Sequence, residues 1–233
     1  MHKGHYRNYG AARVHQYLKY KGYSCSRRRI NRLMKAQGIR AIYAGFQYPR
    51  RAKGFAEIAD NHLAIASGAT EIGQQWAGDM TYLKTRQGPM YLAAVIDLYS
   101  RKVVGWGFSR LHDADLVCGA LSMATASHRV QAGCFFHSDQ GSEYRSDVYR
   151  DALRQAGITP SMSRAGTPTD NAFVESFFGT LKKELVAHWR FNNFIECAAR
   201  VIDYIRFYNE ERLHSGLHFQ SPKAYERQYL LCP

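Results

Sequence analysis

Apolar residues at helical spacing indicate two helices near the start of the chain. The first apolar stripe stops before Gly22, a residue type that often follows a helix, and Ser24 or Ser26 could cap the helix that comes next. The stripes consist of Val14, Tyr17 and Leu18 in the first helix and Ile30, Leu33 and Met34 in the second. The spacing therefore predicts two helices around a turn over residues 9–40.

Beyond residue 75 the pattern changes to short runs of alternating, β-branched and aromatic residues, which are typical of strands. The runs cover residues 76–85, 90–100 and 102–109, and the turns between them contain Gln87-Gly88-Pro89 and Ser100-Arg101. Because only short turns separate the runs, consecutive strands are predicted to pair as an antiparallel meander.

Helical and extended patterns then alternate toward the C-terminus. The spacing predicts helices over residues 113–127, 143–156, 169–187 and 191–212, with strands near residues 133–138 and 158–163. The tail after residue 212 is aromatic and is predicted to be irregular. Three antiparallel strands followed by alternating helices and strands indicate an α/β fold, in which helices flank a mixed sheet and a small helical domain precedes it.

These changes of pattern divide the chain into four parts. We expect a basic helix-turn-helix-like module at residues 1–55, a connector at 56–74, the α/β core at 75–190, and a C-terminal helix and tail at 191–233. The connector is placed where polar and small residues follow one another without the spacing typical of a helix or a strand.

The net charge is concentrated in the first quarter of the chain. Fourteen Lys and Arg precede the first acidic residue, Glu57, whereas the remaining 177 residues carry 18 basic and 19 acidic residues. Such a block suggests a polyanionic partner, because Lys and Arg supply most non-specific DNA affinity by neutralising phosphates. The start of the second predicted helix, which a helix-turn-helix reader presents to the major groove, carries Arg27, Arg28, Arg29 and Arg32. A helical hairpin with a solvated basic face is the alternative.

Composition argues against several other classes of protein. Hydrophobic residues make up 45% of the chain, which is enough for a packed core and unlike a disordered tail. The chain contains no run of 18 apolar residues and no apolar signal segment, so we expect no membrane partner and no export. Five scattered cysteines without a CxxC pair favour a reducing cytoplasm over a disulfide framework or a cysteine zinc site.

Three acidic residues occupy informative positions. Asp79 lies in the middle of a predicted strand, where a charge is unfavourable unless something pairs with it. Asp139 follows another strand at the head of a turn, and Glu175 lies inside a helix among phenylalanines. Each alone has an ordinary explanation as a strand-edge, turn or solvated acid. Their spacing is less ordinary, because 59 residues separate Asp79 from Asp139 and 35 separate Asp139 from Glu175.

This spacing resembles the catalytic core of retroviral integrases and bacterial transposases, whose third carboxylate typically follows the second by 35 intervening residues. Five ordered motifs resemble the insertion-sequence-three family of transposases: WAGDMTYL, YLAAVIDLYSRKVVGW, HSDQGSEY, SMSRAGTPTDNAFVESFFGTLKKE and YNEERLHSGLHFQSP. The similarity runs from about Tyr6 to Tyr225. It implies an RNase H-like core at residues 75–190, with the three carboxylates on its first strand, after its fourth strand and on a later helix.

The resemblance also implies the chemistry. Asp79, Asp139 and Glu175 would be the catalytic residues and would hold two metal ions, and oxygen ligands of this kind suit Mg²⁺ or Mn²⁺. Two such ions can activate a water or a 3′-hydroxyl on one side of a phosphodiester and stabilise the leaving oxygen on the other. The expected reaction is therefore DNA strand cleavage and strand transfer at insertion-sequence ends. The expected partners are terminal inverted repeats, target DNA and further copies of the chain, in the bacterial cytoplasm at the nucleoid.

Two neighbours of Glu175 are expected to serve the same site. Asn171, Glu175 and Lys182 are four and seven residues apart, so they share one helix face. Lys182 stands where the family carries a basic residue that touches DNA near the cleaved phosphate. Asn171 is expected to cap the helix or to position the site. A solvated cation is the alternative for Lys182.

Three further residues are considered as possible members of the site besides the three carboxylates. His137 resembles the family's HSD motif and is expected to shape the loop of Asp139 rather than to bind metal. Asp97 is another acid in a predicted strand, but its spacing to Asp139 does not fit the triad. His214 matches a family motif to which the sequence assigns no mechanical role.

Two other functions remain open at this stage. A plain RNase H or Holliday-junction nuclease would share the metal chemistry, although it needs neither the basic module nor the tail. A non-catalytic DNA-binding regulator would not need all three carboxylates. The family's complete enzyme usually has an upstream DNA-binding and coiled-coil segment, so this chain is expected to be the downstream product or a truncation.

Overall fold

Five strands form one mixed sheet at the centre of the protein, of which the computed structural model describes residues 5–42, 68–163 and 172–231. The strands are β1 (Gln75–Thr85), β2 (Gly88–Asp97), β3 (Val103–Ser109), β4 (Phe135–Ser138) and β5 (Thr159–Met162), in the spatial order β3-β2-β1-β4-β5. Strands β1, β2 and β3 pair antiparallel, whereas β4 pairs parallel with β1 and β5 parallel with β4. The predicted meander and mixed sheet are confirmed.

Helices cover both faces of this sheet. Within the described ranges the α-helices are α1 (Ala11–Tyr20), α2 (Arg27–Ala36), α3 (Ala114–Ser127), α4 (Asp147–Gln155), α5 (Ala172–Glu184), α6 (Phe194–Glu210) and α7 (Pro222–Leu231). Short 3₁₀ helices lie at His5–Asn8, Val186–His188 and Ser215–Leu217. No α-helix among these is both long enough and apolar enough to cross a membrane.

Alternation along β1 divides its side chains between two hydrophobic clusters. Ala77 and Leu83 belong to the cluster that contains the buried residues of α5 and α6. Trp76 belongs to the other cluster, together with the buried residues of α3 and α4. Because successive side chains of a strand point to opposite faces, Asp79 points to the same face as Ala77, beneath α5 and α6.

The two predicted N-terminal helices are confirmed as α1 and α2. The side chain of Ser26 caps α2 by accepting a hydrogen bond from the backbone N–H of Arg29 (3.2 Å). The prediction that Leu33 belongs to the buried stripe of the second helix was wrong, because Leu33 is 48% exposed. This helix buries only Ile30 and Met34, which lie one turn apart. Most of the predicted connector, residues 43–67, lies outside the described residues.

Two other predictions of local structure were wrong. The helix predicted at residues 143–156 begins only at Asp147, because the Ser146 side chain caps it by accepting from the backbone N–H of Tyr149 (3.2 Å). The tail predicted as irregular contains helix α7, which starts at Pro222 directly after Ser221. A serine followed by proline is a common helix start, because proline fits the first helical position and its missing N–H is not needed there.

Candidate active site

Asp79 lies on β1, and Asp139 directly follows the neighbouring parallel strand β4. The register of β1 and β4 pairs Gln75 with Phe135 and Ala77 with His137. Two residues further along each chain are Asp79 and Asp139. Paired residues of parallel strands point to the same face, and adjacent strands lie about 4.8 Å apart, so continuing this register brings the two carboxylates together.

A glycine permits the close packing beside Asp79. A Cβ on Gly78 would collide with the ring of Phe136, which packs across β1 from the neighbouring strand β4. Asp79 itself is half-buried, and its Oδ1 accepts a hydrogen bond from the backbone N–H of Met80 (2.8 Å). The strand therefore presents the carboxylate near the surface and fixes one of its oxygens.

The turn after β4 orients Asp139. Its Oδ1 accepts a hydrogen bond from the backbone N–H of Gly141 (3.0 Å). The side chain of Gln140 donates to the backbone carbonyl of Ser163 (2.7 Å), which ties the turn to the end of β5. Asp139 thus occupies a short structured turn at the end of β4, and the backbone of that turn fixes one of its oxygens.

A fourth carboxylate lies in the same turn and was missed by the sequence analysis. Glu143 is buried, and its Oε1 lies 3.8 Å from Nε2 of His112. A Cβ on Gly141 would collide with Oε1 of Glu143 and would lie 3.1 Å from Oδ1 of Asp139, so the two carboxylates flank this glycine. The sequence analysis predicted a helix from residue 143, and Glu143 was therefore not singled out as a candidate site residue.

The pKa of the buried Tyr144 is sensitive to the negative charge of the nearby carboxylates. Burial raises its pKa well above the usual value, and the charges of Asp79, Asp139 and Glu143 raise it further. Its ring contacts those of Phe136 and Tyr149 in the cluster beneath the sheet. Tyr144 therefore stays neutral, and the three carboxylates lie near enough to its ring for their charges to raise its pKa.

His137 stands directly before this turn and is fully buried. Its Nδ1 lies 3.0 Å from the hydroxyl of Ser161, and its Nε2 lies 2.9 Å from the hydroxyl of Ser163. Both ring nitrogens are engaged with β5 or its end, so the imidazole links β4 to β5 and holds the strand that leads to Asp139.

Glu175 lies in the first turn of α5, over the face of the sheet that carries Asp79. The helix packs on this face through Val174, Phe177, Phe178 and Leu181, which are all buried. Glu175 is exposed beside this apolar stripe. The structure therefore places the three predicted carboxylates on one side of the sheet.

The three carboxylates do not close into one metal-binding cluster. In the part of the chain that the structure describes, no three His, Cys, Asp or Glu side chains are grouped so that they could hold a metal ion. Residues 164–171, which lead into α5, are outside the described ranges, and with them the predicted site residue Asn171. Asp79 and Asp139 form the paired part of the arrangement, and Glu175 stands on the helix above them.

Lys182 follows Glu175 along the same side of α5. Seven residues correspond to nearly two helical turns, so Lys182 lies within about 20° of Glu175 around the axis, whereas Lys183 lies about 80° away. Both lysines are half-buried. The helix register thus sets Lys182 on the same side of α5 as Glu175, about 10 Å further along the axis, and turns Lys183 aside.

The four predicted DNA-binding arginines occupy one end of α2. Arg27, Arg28, Arg29 and Arg32 are all exposed on the first turns of this helix. No acidic residue lies in the first turn of α2. This end of α2 is therefore a continuous positive surface.

Asp97, the acid that the spacing argument set aside, holds a turn together. It is fully buried, and its Oδ1 accepts hydrogen bonds from the backbone N–H of Tyr99 (3.1 Å) and from the N–H and hydroxyl of Ser100 (2.8 and 2.9 Å). Its Oδ2 accepts from the N–H of Gly73 (2.7 Å). Both oxygens are committed to the fold, so Asp97 has a structural role at the β2–β3 turn.

A second buried acid anchors the N-terminal module to the far end of α5. Glu184 accepts two hydrogen bonds from the guanidinium of Arg212 (3.0 and 2.9 Å) and one from the hydroxyl of Tyr204 (2.8 Å). Arg13 of α1 lies 3.7 Å from the same carboxylate. Tyr9, just before α1, donates to the backbone carbonyl of Glu211 (3.0 Å), so the module is docked on the core at this point.

His214, to which the sequence analysis assigned no mechanical role, lies beside this ion pair. Its ring meets the ring of Tyr208 edge-on at 4.6 Å. Burial lowers the pKa of His214 to about 3, and the positive charges of Arg212 and Arg13 contribute to this shift. His214 is therefore a neutral packing residue at the junction between α6 and the tail.

Comparisons with known proteins bear on these residues. Residues 1–47 match the HTH-like domain family, and two integrase core domain families match residues 69–168 and 156–222. The chain is 39% identical over 228 residues to the transposase for insertion sequence element IS904 of Lactococcus lactis subsp. lactis (strain IL1403), covering 97% of this chain and 89% of the relative. It is 37% identical over 225 residues to transposase InsF for insertion sequence IS3A of Escherichia coli (strain K12), covering 95% of this chain and 78% of the relative.

Solved structures share the fold at low identity. A chain of the simian T-cell lymphotropic virus intasome in complex with PP2A regulatory subunit B56 gamma matches with a TM-score of 0.58 at 15% identity, over 96% of this chain and 77% of that one. The catalytic core domain of BIV integrase matches with a TM-score of 0.53 at 17% identity, over 68% and 97%. The HTLV-2 integrase catalytic core domain in complex with magnesium matches with a TM-score of 0.51 at 16% identity, over 66% and 96%. The mixed sheet with its flanking helices is thus the RNase H-like fold of integrase cores.

Proposed function

Because the chain belongs to the insertion-sequence-three family of transposases and so cleaves and joins DNA strands, we propose that Asp79, Asp139 and Glu175 are the carboxylates that carry this reaction. The enzyme is a polynucleotidyl transferase, which cuts a phosphodiester and then joins the end to another strand. The observation that supports the proposal is the register of β1 and β4, in which Ala77 pairs with His137. Continued by two residues, it would set Asp79 level with Asp139, on the face of the sheet that α5 covers.

The donor set fits a hard divalent cation. Two carboxylates side by side on neighbouring strands repel each other, and a cation between them would relieve that repulsion. Carboxylate oxygens, with water and phosphate completing the shell, suit Mg²⁺ or Mn²⁺ better than a softer metal. We assign Asp79 and Asp139 as the residues that would hold one ion jointly, with Glu175 completing a two-ion site above them.

The metal ions, when bound, supply an activated water or 3′-hydroxyl and neutralise the charge that develops on the leaving oxygen. The chain's own residues position the reactants. The turn at Asp139 and the hydrogen bond from Met80 to Asp79 hold the carboxylates in place. Lys182 provides a positive charge along the same side of α5, where it would contact a DNA phosphate near the cleaved bond.

The remaining parts of the protein would bind and organise the DNA. The exposed arginines of α2 would contact phosphates or the major groove of the element ends. One of the related structures is an intasome, and we extend from it the expectation that two or more copies of this chain act together on terminal repeats and target DNA. Since its relatives are bacterial transposases, we place this activity in the cytoplasm at the nucleoid.

The proposal is tested by cleavage of a labelled DNA duplex that contains an element end. The unaltered chain should cleave it in Mg²⁺ or Mn²⁺, join it to target DNA, and lose both activities in chelator. Asp79→Asn and Asp139→Asn should each abolish cleavage while binding the duplex with an unchanged Kd. Asp151→Asn, at an exposed acid of α4, is the matched control and should cleave normally. Cleavage by either active-site variant within tenfold of the unaltered rate would remove that residue from the site.

The role of the α2 arginines is tested by the salt dependence of DNA binding. Each phosphate contact contributes about 0.9 to the slope of log K against log salt concentration. Substituting Arg27, Arg28, Arg29 and Arg32 by alanine should lower that slope by about two to four. These substitutions leave Arg13 and its contact with the core in place. An unchanged slope would mean that this surface faces something other than DNA.

A further inference from the structure

A cavity of about 220 Å³ lies beside the candidate active site and is not used by the reaction described above. It is an open cavity lined by the start of β1, the turn between β2 and β3, the start of α5 and the C-terminal tail. Its walls include Gln75, Tyr99, Arg101, Phe173, Leu217 and Tyr225. For comparison, an engineered cavity of about 150 Å³ is large enough to admit benzene.

Two polar atoms of the cavity walls have no partner within the described part of the chain. Nη1 of Arg101 and Oε1 of Gln75 are both buried, and neither forms a hydrogen bond there. Gln75 is only 3% exposed. Buried polar atoms without partners are costly and therefore rare in native proteins. A hydrogen-bond donor and an acceptor are thus left open toward one small space.

Arg101 is held in a backbone conformation that favours glycine. Its φ of 61° lies in the left-handed region, which non-glycine residues seldom adopt, and its N–H donates to the carbonyl of Asp97 (2.8 Å). The saturated carboxylate of Asp97 fixes the turn that creates this conformation. Backbone strain of this kind is concentrated at functional sites. The sequence keeps an arginine where glycine would be less strained, which indicates that the guanidinium is used.

Aromatic rings line the cavity, and one of them lies close to Glu175 along α5. The guanidinium of Arg101 stacks on the ring of Phe173 at 3.4 Å, and Phe173 is two residues before Glu175 on α5. On the opposite side, the rings of Tyr99 and Tyr225 meet at 5.3 Å. Gln75 and Asp79 point to the same face of β1, about 13 Å apart at 3.3 Å per residue. That distance corresponds to about four base-pair steps of DNA.

We propose that this cavity receives one nucleobase that is extruded from the DNA duplex near the cleavage site. The proposal rests on the proposed function, because it requires that DNA lies across Asp79, Asp139 and Glu175. The edge of a base offers an acceptor to Nη1 of Arg101 and a donor to Oε1 of Gln75 side by side, and its faces fit between aromatic walls. A phosphate fits less well, because it would place acceptor oxygens against Oε1 of Gln75.

The experiment measures binding of element-end duplexes with one mismatched base pair at successive positions around the cleaved bond. The Asp139→Asn variant is used throughout, so that DNA is bound but not cut. Extrusion costs less when the base is already unpaired. One position should therefore bind about fivefold to tenfold more tightly when mismatched than when matched, and the other positions should not.

Two further substitutions remove the polar atoms while keeping the fold. Arg101→Gly suits the left-handed backbone, and Gln75→Met replaces an unpaired amide by an apolar side chain of similar size. Each should melt at or above the parent Tm, yet reduce the gain from the mismatch to less than twofold. Arg200→Ala is the matched control, because Arg200 stacks on Trp189 at 3.8 Å elsewhere on the surface, and it should keep the full gain.

Three results would overturn the proposal: no position gains from a mismatch, the gain persists in both variants, or the two variants lose the parent's response to a methylphosphonate in the backbone while they keep its response to a mismatch. The same duplexes are also tested for cleavage by the chain with Asp139 intact. Cleavage without a mismatch gain defeats the cavity proposal alone. Failure to cleave any end duplex in Mg²⁺ or Mn²⁺ defeats the proposed function instead.

Discussion

Helix α5 carries a glutamate near each end, and the two carboxylates have opposite surroundings. Glu175, in the first turn, is exposed and stands over the face of the sheet that carries the paired aspartates. Glu184, the last residue, is buried and accepts hydrogen bonds from Arg212 and Tyr204, with Arg13 of the N-terminal module close by. The carboxylate at the first end of the helix is therefore exposed, whereas the carboxylate at the other end is buried and links three parts of the fold.

The aspartates of the central sheet show the same difference. Asp97 uses both carboxylate oxygens within the fold, whereas Asp79 lies near the surface beside Asp139. Asp79 and Asp97 look alike in the sequence, since each lies within a strand among apolar residues. The difference teaches that burial separates the acids with a structural role from the acids proposed to carry the reaction. Substitutions should therefore affect stability at one set and activity at the other.

The largest effect on stability is expected at Glu184. Glu184→Ala would leave Arg212 buried and charged without its partner, and such a loss costs about 3–5 kcal/mol. For a chain of this size, that should lower Tm by about 10 °C. Glu210→Ala is the control, because Glu210 forms an exposed pair with Lys223 that is worth less than about 1 kcal/mol. Equal Tm losses in the two variants would contradict a special role for the buried pair.

A smaller loss of stability should separate Asp97 from Asp79. Asp97→Asn would turn an amide donor toward the N–H groups that the carboxylate now accepts, at a cost of about 2 kcal/mol. Asp79→Asn should change the free energy of unfolding by less than about 0.5 kcal/mol, because it also removes repulsion from Asp139. Urea unfolding of the two variants measures the difference. The assignment fails if Asp79→Asn is the more destabilising of the two.

Acid should weaken the Glu184 end of α5 through His214. The depressed pKa of about 3 keeps His214 neutral in the folded protein, whereas the unfolded chain binds a proton near pH 6.5. Stability is therefore present above pH 6.5 and is lost as pH falls through the window from 6.5 to 3, by up to about 1.4 kcal/mol per pH unit. Melting curves between pH 7 and pH 5 should fall less steeply for His214→Gln. Parallel curves would mean that His214 is protonated in the folded state.

The smallest expected effect concerns the two lysines of α5. Lys182→Ala should lower the salt slope of end binding by about one unit and should impair strand transfer more than binding, because errors of position near the reacting atoms are costly in rate. Lys183→Ala is the control, since Lys183 points away from Glu175. A strand-transfer assay compares them. If Lys183→Ala is the more damaging, Lys182 does not contact the DNA near the cleaved bond.

Local periodicity was sufficient to predict most of the fold. The meander, the two N-terminal helices and the strand before Asp139 each depend on patterns within a few residues, and the structure contains them all. Leu33 shows the limit of this reasoning, because a short helical hairpin buries a narrower stripe than the spacing suggests. Helix α7 was missed, although the Ser221-Pro222 pair at its start is a local signal for a helix.

Contacts between distant residues could not be predicted from the sequence. The ion pair of Glu184 joins residues that lie 28 positions apart, and Tyr9 reaches a carbonyl 202 positions away. Glu143 lies beside Asp139 because it belongs to a turn and not to the following helix. The Ser146 cap makes that helix begin four residues later than predicted. The spacing of the carboxylates still selected Asp79 over Asp97, although nothing in the local pattern distinguishes them.

The central claim is that the exposed end of α5 carries the chemistry, and the rate of end cleavage by Glu175→Gln in Mg²⁺ tests it most directly. The account expects the single-turnover rate on a bound duplex to fall by at least about 10³-fold. The Kd for that duplex should stay within about twofold, and Tm should stay within about 2 °C. A Glu175→Gln variant that folds, binds and still cleaves within tenfold of the unaltered rate would contradict the account.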